Sequence, residues 1–170
     1  MPYPVSHGGF FDLFHKIIAL HQAGINIHLH CFVHRREEQP LLKQYCTEVH
    51  YYRRITGWKG FSFRTPYMVY SRKNPILTER LLKDTYPILL EGLHCSGIID
   101  DERFNGRQIL LRAGNVETYY YRALARSALP GLSKLYYAWE SILLRKWEEK
   151  VAARTKILAV APNDESCFRK

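Results

Sequence analysis

Three short clusters in this chain have residue types and spacings that could do chemistry. The first is His7-Gly8-Gly9, placed just before a helical pattern. Glycines let backbone approach a ligand closely, and the free N–H groups of a helix start attract phosphate. The second is Leu90-Glu91-Gly92-Leu93-His94, which follows an apolar run. A histidine there could serve as acid, base or phosphate donor, and Glu91 could carry polar recognition or only cap the following turn. The third is Arg112-Ala113-Gly114-Asn115-Val116-Glu117. Arg, Asn and Glu side by side suit a ligand rich in hydroxyls and phosphate. Each has a plainer reading as well. The glycines could make an ordinary turn, and His94 could cap a helix or pack. Asn115 could cap a helix with Glu117 in its first turn and Arg112 in a surface ion pair.

The elements that must position these clusters follow from periodicity. Residues 1–9 read as a loop. Phe10, Leu13, Phe14, Ile17, Ile18 and His21 recur at helical steps and Gly24 stops them. Alternation from Ile25 to Val33 predicts a strand, and Val49, Tyr51 and Tyr52 favour another over 48–54. Residues 56–73 read as an irregular or partly helical excursion. Asn74-Pro75 opens a helix. Short buried strands are predicted at 87–91, 108–112 and 156–160, and a helix over 117–127. Ser133 is expected to cap a long helix whose inner face carries Tyr136, Trp139, Ile142, Leu143 and Trp147, and Asn163 or Asp164 to begin a last helical turn. Alternating helices and strands imply an α/β fold, a parallel sheet flanked by helices, and put all three clusters at carboxyl ends of strands or helix starts, where such sheets bind ligands.

Composition narrows the partners. The 170 residues make one domain, 1–170, with 46% hydrophobic and 24% charged residues, which excludes a disordered or fibrous chain. Twenty-five Lys and Arg against 16 Asp and Glu give a net charge of +9, favouring an anionic partner: nucleic acid, a membrane or a phosphorylated molecule. No nucleic-acid motif is visible. Cys31, Cys46, Cys95 and Cys167 form no C-x-x-C pair, so reduced thiols in a cytoplasmic protein are expected. No apolar run is long enough to cross a membrane and no signal peptide is visible. His28 and His30 share a strand face, and Asp100-Asp101-Glu102 are adjacent. Both could hold a metal, but hydrogen-bonded sheet residues and a solvated acidic loop are the readings preferred. The helix from 133 to 150 is read as a core face, with a basic, membrane-facing reading kept open by Lys134, Arg145, Lys146, Lys150 and Arg154.

Taken in order, these pieces resemble the retaining GT-B glycosyltransferases of glycosyltransferase family 4. Pro2-Tyr3-Pro4-x-x-x-Gly8-Gly9 resembles their first loop, and Leu90-Glu91-Gly92-Leu93-His94 their histidine-bearing loop. Arg112-x-x-Asn115-x-Glu117-x-x-Tyr120 resembles their Arg-x-His-Asn-x-Glu-x-x-Tyr element, with Gly114 where histidine is usual. Ile157-Leu158-Ala159-Val160-Ala161-Pro162-Asn163-Asp164 resembles the strand that ends their N-terminal half.

The resemblance implies a Rossmann-like, acceptor-binding N-terminal half of a GT-B fold, with the C-terminal donor-binding domain absent. It implies His94 as the catalytic-site histidine near the sugar. Gly8, Gly9 and Glu91 fall at donor phosphate and sugar, and His7, Arg112, Asn115 and Glu117 at the acceptor. It implies a nucleotide-sugar donor, a carbohydrate or lipid-linked acceptor, no metal and no other cofactor, and a cytoplasmic site of action at the inner face of a membrane. The chain opens inside the first loop, where the family has a strand. A truncated start, a fragment, or a strand supplied by exchange or by an oligomer would each account for that. The isolated domain is expected to be inactive. The alternative is a non-enzymatic basic domain that binds an anionic membrane or a polyanion.

Overall fold

The computed structural model describes residues 2–4, 8–33 and 37–160. Its fold is mixed α/β, with parallel sheets flanked by helices in a Rossmann-like arrangement, as the alternation implies. The chain divides into two compact units, Met1–Arg54 and Ile55–Lys170. The last turn expected at Asn163 or Asp164 lies outside the described residues.

The first unit contains α1 (Gly8–Gln22), β1 (His28–Val33) and β2 (Glu48–Arg53). Helix α1 ends at Gly24, whose φ of 76° is open to glycine at little cost. The Gly24 N–H donates to the His21 carbonyl at 2.9 Å and the Ile25 N–H to Leu20 at 3.1 Å, a glycine-terminated Schellman cap. Strand β1 begins at His28 and not at Ile25. The carbonyl of Ile27 accepts from Thr47 at 2.9 Å, and Ile25 is half exposed, so the alternation over 25–27 reports the exit from the cap. β1 and β2 run parallel, His28 opposite Glu48 through Val33 opposite Arg53. Cys31 and Tyr52 are buried in this pair.

The second unit opens with a 3-10 turn, Gly57–Gly60, and the short helix α2 (Tyr67–Tyr70), the partly helical excursion expected there. Helix α3 (Pro75–Leu81) starts as predicted, with the Leu77 N–H donating to Asn74 Oδ1 at 3.2 Å and Pro75 in the first turn. Strands β3 (Ile88–Glu91), β4 (Ile109–Ala113) and β5 (Lys156–Ala159) form a parallel sheet in the order β3–β4–β5. Ile88, Leu90, Ile109, Leu111 and Ala113 are buried while Leu89 and Leu158 on the alternate face are exposed, so burial in this sheet alternates and one face forms the core. Arg107 pins the amino ends: its guanidinium donates to the Tyr86 carbonyl at 2.9 Å, to the Leu81 carbonyl, and to Asp84 at 2.5 Å. Among the described residues no strand precedes α1, and β1 and β3 each have a strand partner on one side only.

Helices α4 (Glu117–Ser127) and α5 (Leu132–Arg154) pack together. Helix α5 corrects two expectations. Gly131 occupies the cap position and makes no side-chain bond, so Ser133 lies inside the first turn. The buried face is Glu140, Ser141, Leu143, Leu144, Trp147, Glu148 and Val151, while Trp139 and Ile142 face solvent. Two glutamates replace the expected apolar residues because each serves a helix start. Glu140, with no exposed surface, accepts from the Tyr67 N–H at 3.0 and 3.2 Å. Glu148 accepts from the Thr118 N–H at 3.3 Å and its hydroxyl at 2.6 Å. Among the described residues no helix is long and apolar enough to cross a membrane.

Burial pushes the Glu148 carboxyl above its ordinary value of 4.5, against the pull of the Thr118 hydrogen bonds. The folded chain therefore holds this proton more tightly than the unfolded chain. The contribution of Glu148 to stability is largest below about pH 4.5 and falls as pH rises through the folded-state value. Glu148→Gln keeps an acceptor for the Thr118 N–H and cannot ionise. Its urea midpoint relative to wild type should improve on going from acid to neutral pH, and a mutant midpoint that falls relative to wild type as pH rises contradicts the sign. Glu148→Ala leaves the buried Thr118 N–H without an acceptor and should cost about 2 kcal/mol at acid pH and less at neutral pH.

Candidate functional site

The site is built at the carboxyl ends of β3 and β4. β3 ends at Glu91, and the chain turns at Gly92 with φ 93° and ψ 155°, a conformation essentially restricted to glycine. The Gly92 N–H donates to the Arg112 carbonyl at 3.0 Å, tying the turn to β4. A 3-10 segment, Leu93–Asp100, follows at once. The imidazole of His94 folds back over Gly92: a Cβ there would lie 2.8 Å from Cε1 and 2.9 Å from Nδ1. The segment is fixed from behind by a buried relay. Trp147 Nε1 donates to Ser96 Oγ at 2.8 Å, and Ser96 Oγ donates to the Leu93 carbonyl at 2.6 Å.

Strand β4 delivers the second part. Arg112 stands opposite Glu91 across the parallel pair, with Nη1 3.5 Å from Oε2, both side chains partly exposed. The chain leaves the sheet through Gly114 and Asn115, both exposed, and enters α4. Asn115 does not cap that helix. Val116 holds the cap position without a side-chain bond, and the Glu148 carboxylate takes over the role at Thr118. Burial, and then the charge of nearby Glu148, push the Glu117 carboxyl above its ordinary range. One sheet rim therefore carries an imidazole, a partly exposed Arg–Glu pair, an amide and a carboxyl that holds its proton beyond its ordinary range. Such a set can orient sugar or phosphate oxygens and donate to an oxygen that gains charge.

Of the residues expected at the site, the fold brings Glu91, His94, Arg112, Asn115 and Glu117 to this rim. The plainer reading of Arg112 as half of an ion pair also holds, with Glu91 as the partner. Gly8 and Gly9 belong to the other unit. They form the first turn of α1 and not a loop before it, they are exposed, and a Cβ on either would meet open space. His7 lies outside the described residues. Sequence reasoning named Gly92 and Trp147 without a positioning role and missed Ser96, Thr118 and Glu148. The glycine directly after a strand end is the one signal that could have shown the role of Gly92.

Other candidates are taken up by internal contacts. His30 Nδ1 shares a hydrogen bond with Tyr52 Oη at 2.8 Å, the sheet role preferred above, and His50 bonds Glu48 at 2.8 Å. Asp101 caps its own turn through the Arg103 N–H and binds the Arg103 guanidinium at 2.7 Å. No group of three potential metal ligands occurs among the described residues. An open groove of about 800 Å³ runs along residues 70–79 and 95–103. Its charges largely neutralise one another, Lys73 with Asp100 at 3.5 Å and Arg103 with Glu79 at 2.9 Å. Burial pushes the thiol of Cys95, which lines it, up to about 11, so it is protonated and a poor nucleophile at neutral pH. The rim is the better site on chemistry.

No family model matches the chain, and no solved structure matches it. A curated protein of Klebsiella pneumoniae, described as an uncharacterized 44.6 kDa protein in cps region, is 26% identical over 173 residues. The match covers 96% of this chain and 44% of that protein, so the chain spans less than half the length of its relative.

Gly92→Ala should cost about 1–3 kcal/mol through its backbone conformation alone, with an added cost for displacing the imidazole. In a His94→Ala background that second cost disappears. A double-mutant cycle by urea unfolding should show Gly92→Ala cheaper without the ring, and equal costs in both backgrounds would mean that the ring does not lie over Gly92.

Proposed function

We propose that this chain is the acceptor-side domain of a retaining, nucleotide-sugar-dependent glycosyltransferase, working in bacterial polysaccharide or glycolipid synthesis. The observation that carries the reading is the single rim holding His94, the Glu91–Arg112 pair, Asn115 and Glu117. The relative in a cps region, a name used for capsule polysaccharide loci, supports the polysaccharide context.

In the reaction, the bond between the anomeric carbon and the diphosphate oxygen breaks, and its electron pair leaves with the diphosphate. The acceptor hydroxyl oxygen bonds to that carbon on the same face, and its proton passes to the departing phosphate oxygen. His94 donates a hydrogen bond at the sugar as charge develops. Glu91, oriented by Arg112, receives a sugar hydroxyl. Arg112, Asn115 and Glu117 hold the acceptor, whose phosphate or hydroxyl oxygens match their donors. The scheme asks for no metal or other cofactor. It places the work in the cytoplasm, where nucleotide sugars are made, on a carbohydrate or lipid-linked acceptor. The donor is completed by a second, donor-binding domain.

The test is an amide-shift titration of the isotopically labelled chain with UDP-glucose, GDP-mannose and a soluble polyprenyl diphosphate-linked sugar. The lipid-linked sugar should move amides of residues 91–95 and 112–118, and Arg112→Ala should weaken that binding about tenfold, the loss of one charge-assisted contact. The nucleotide sugars alone should not turn over. Shifts confined to other residues, or steady turnover of a nucleotide sugar by this chain alone, overturn the reading.

A further inference from the structure

From Ile55 to Thr78 the chain has Lys59, Arg64, Arg72 and Lys73 and no acidic residue. Trp58 and Phe63 within it are 90% and 76% exposed. They are not loose. Phe61 joins them edge-on, its ring 6.3 Å from Trp58 and 5.0 Å from Phe63. Gly60 is pressed against the backbone of Ile55, where a Cβ would come within 2.7 Å of the carbonyl oxygen. The Arg64 and Thr65 N–H groups both donate to Ser62 Oγ at 3.2 Å, and α2 behind them is held by Glu140. The fold thus holds two large apolar rings out in water.

Arg64 and Thr65 continue into a pocket of about 380 Å³ with Leu143, Lys146, Trp147 and Lys150 of α5, and Asp100. Lys150 and Lys73 both pair with Asp100. Arg64 and Lys146 have no carboxylate partner among the described residues. The pocket therefore has a surplus of positive charge. It stands at the end of a second apolar feature. Leu132, Leu135, Trp139 and Ile142, at three- and four-residue steps on α5, are all exposed, and Lys146 follows one turn after Ile142 on the same stripe.

We propose that this surface docks on an anionic membrane. Trp58, Phe63 and the α5 stripe enter the interface, and the Arg64–Lys146–Lys150 pocket takes a lipid headgroup phosphate. Exposed aromatic rings next to aliphatic side chains match the headgroup boundary of a bilayer, and a pocket with three cations to one acid matches its negative surface. A sugar surface would call for an open ring face and not for leucines. A two-fold copy of the chain would set this cationic pocket against a surface of the same sign. The proposal does not depend on the glycosyl-transfer reading.

Flotation of the chain with phosphatidylcholine vesicles, with and without phosphatidylglycerol, tests it. The chain should float with the anionic vesicles about tenfold better than with the neutral ones, and high salt should weaken the association. Arg64→Glu with Lys146→Glu should abolish the preference. Trp58→Ala with Phe63→Ala should weaken binding and reduce the quenching of tryptophan emission by brominated lipid to the share that Trp139 contributes. All four positions are exposed, so the circular-dichroism melt of each variant serves as the folding control. Equal binding to neutral vesicles, or anionic binding untouched by Trp58→Ala with Phe63→Ala, overturns the proposal. So does inorganic phosphate competing as well as vesicles do, which indicates a free-phosphate site. A dimer that Leu135→Ala dissociates indicates a protein interface instead. The amide shifts of residues 91–95 with the lipid-linked sugar should survive Trp58→Ala, which keeps the two readings separable.

Discussion

A buried carboxylate must be hydrogen-bonded or neutral, because burying its charge unpaired costs several kcal/mol. Helix α5 carries two such groups on one face, and each is satisfied by the N–H of another helix start: Glu140 by Tyr67, Glu148 by Thr118. Between them, Trp147 reaches the 93–100 segment through Ser96. A rotation or a one-turn slide of α5 would strand both acids and the indole together. The helix is thereby locked in register, and with it the start of α4 and the segment that bears His94. The rim at the sheet edge is positioned from beneath by polar contacts buried in the core.

That arrangement leaves the exposed chemistry free to respond to a ligand. The Glu91–Arg112 pair is partly solvated and 3.5 Å apart, so it contributes little to stability and can re-aim toward an incoming group at small cost. Gly92 is the opposite case. Its backbone conformation and the overlying imidazole leave no room for a side chain, so the turn that presents His94 is rigid. Rigid backbone with one adjustable ion pair is a reasonable design for holding polar ligands in a fixed orientation.

Local chemistry made much of this legible in the sequence. Gly24 ends α1, Asn74-Pro75 starts α3, and the apolar runs at 87–91 and 108–112 become β3 and β4, since turn and cap residues and short buried strands announce themselves. What could not be read depends on partners distant in sequence. Trp139 and Ile142 fit a helical apolar face as well as Leu144 and Val151 do. Only the packing decides that the face holding Glu140 and Glu148 turns inward. Asn115 has the right side chain for a cap, one residue too early, and an acid thirty-odd positions later takes the role. Glu91 and Arg112 look unrelated until the parallel register sets them opposite each other.

The same helix connects the two surfaces of the second unit. α5 is 23 residues long, about 35 Å at 1.5 Å per residue. Its inner face fixes the rim, and its outer stripe ends in the cationic pocket with Arg64. On the docking reading, a helix held this firmly cannot tilt into lipid independently of the sheet, so membrane contact would set the height and direction of the rim above the bilayer. A reacting group on a short lipid-linked carrier is confined to a thin layer near the headgroups. A rim held at one height by a rigid helix meets such a group with less orientational search than a freely diffusing domain would need. The two buried glutamates of α5 therefore matter for more than local packing. They make the orientation of the outer stripe a constraint on the site itself.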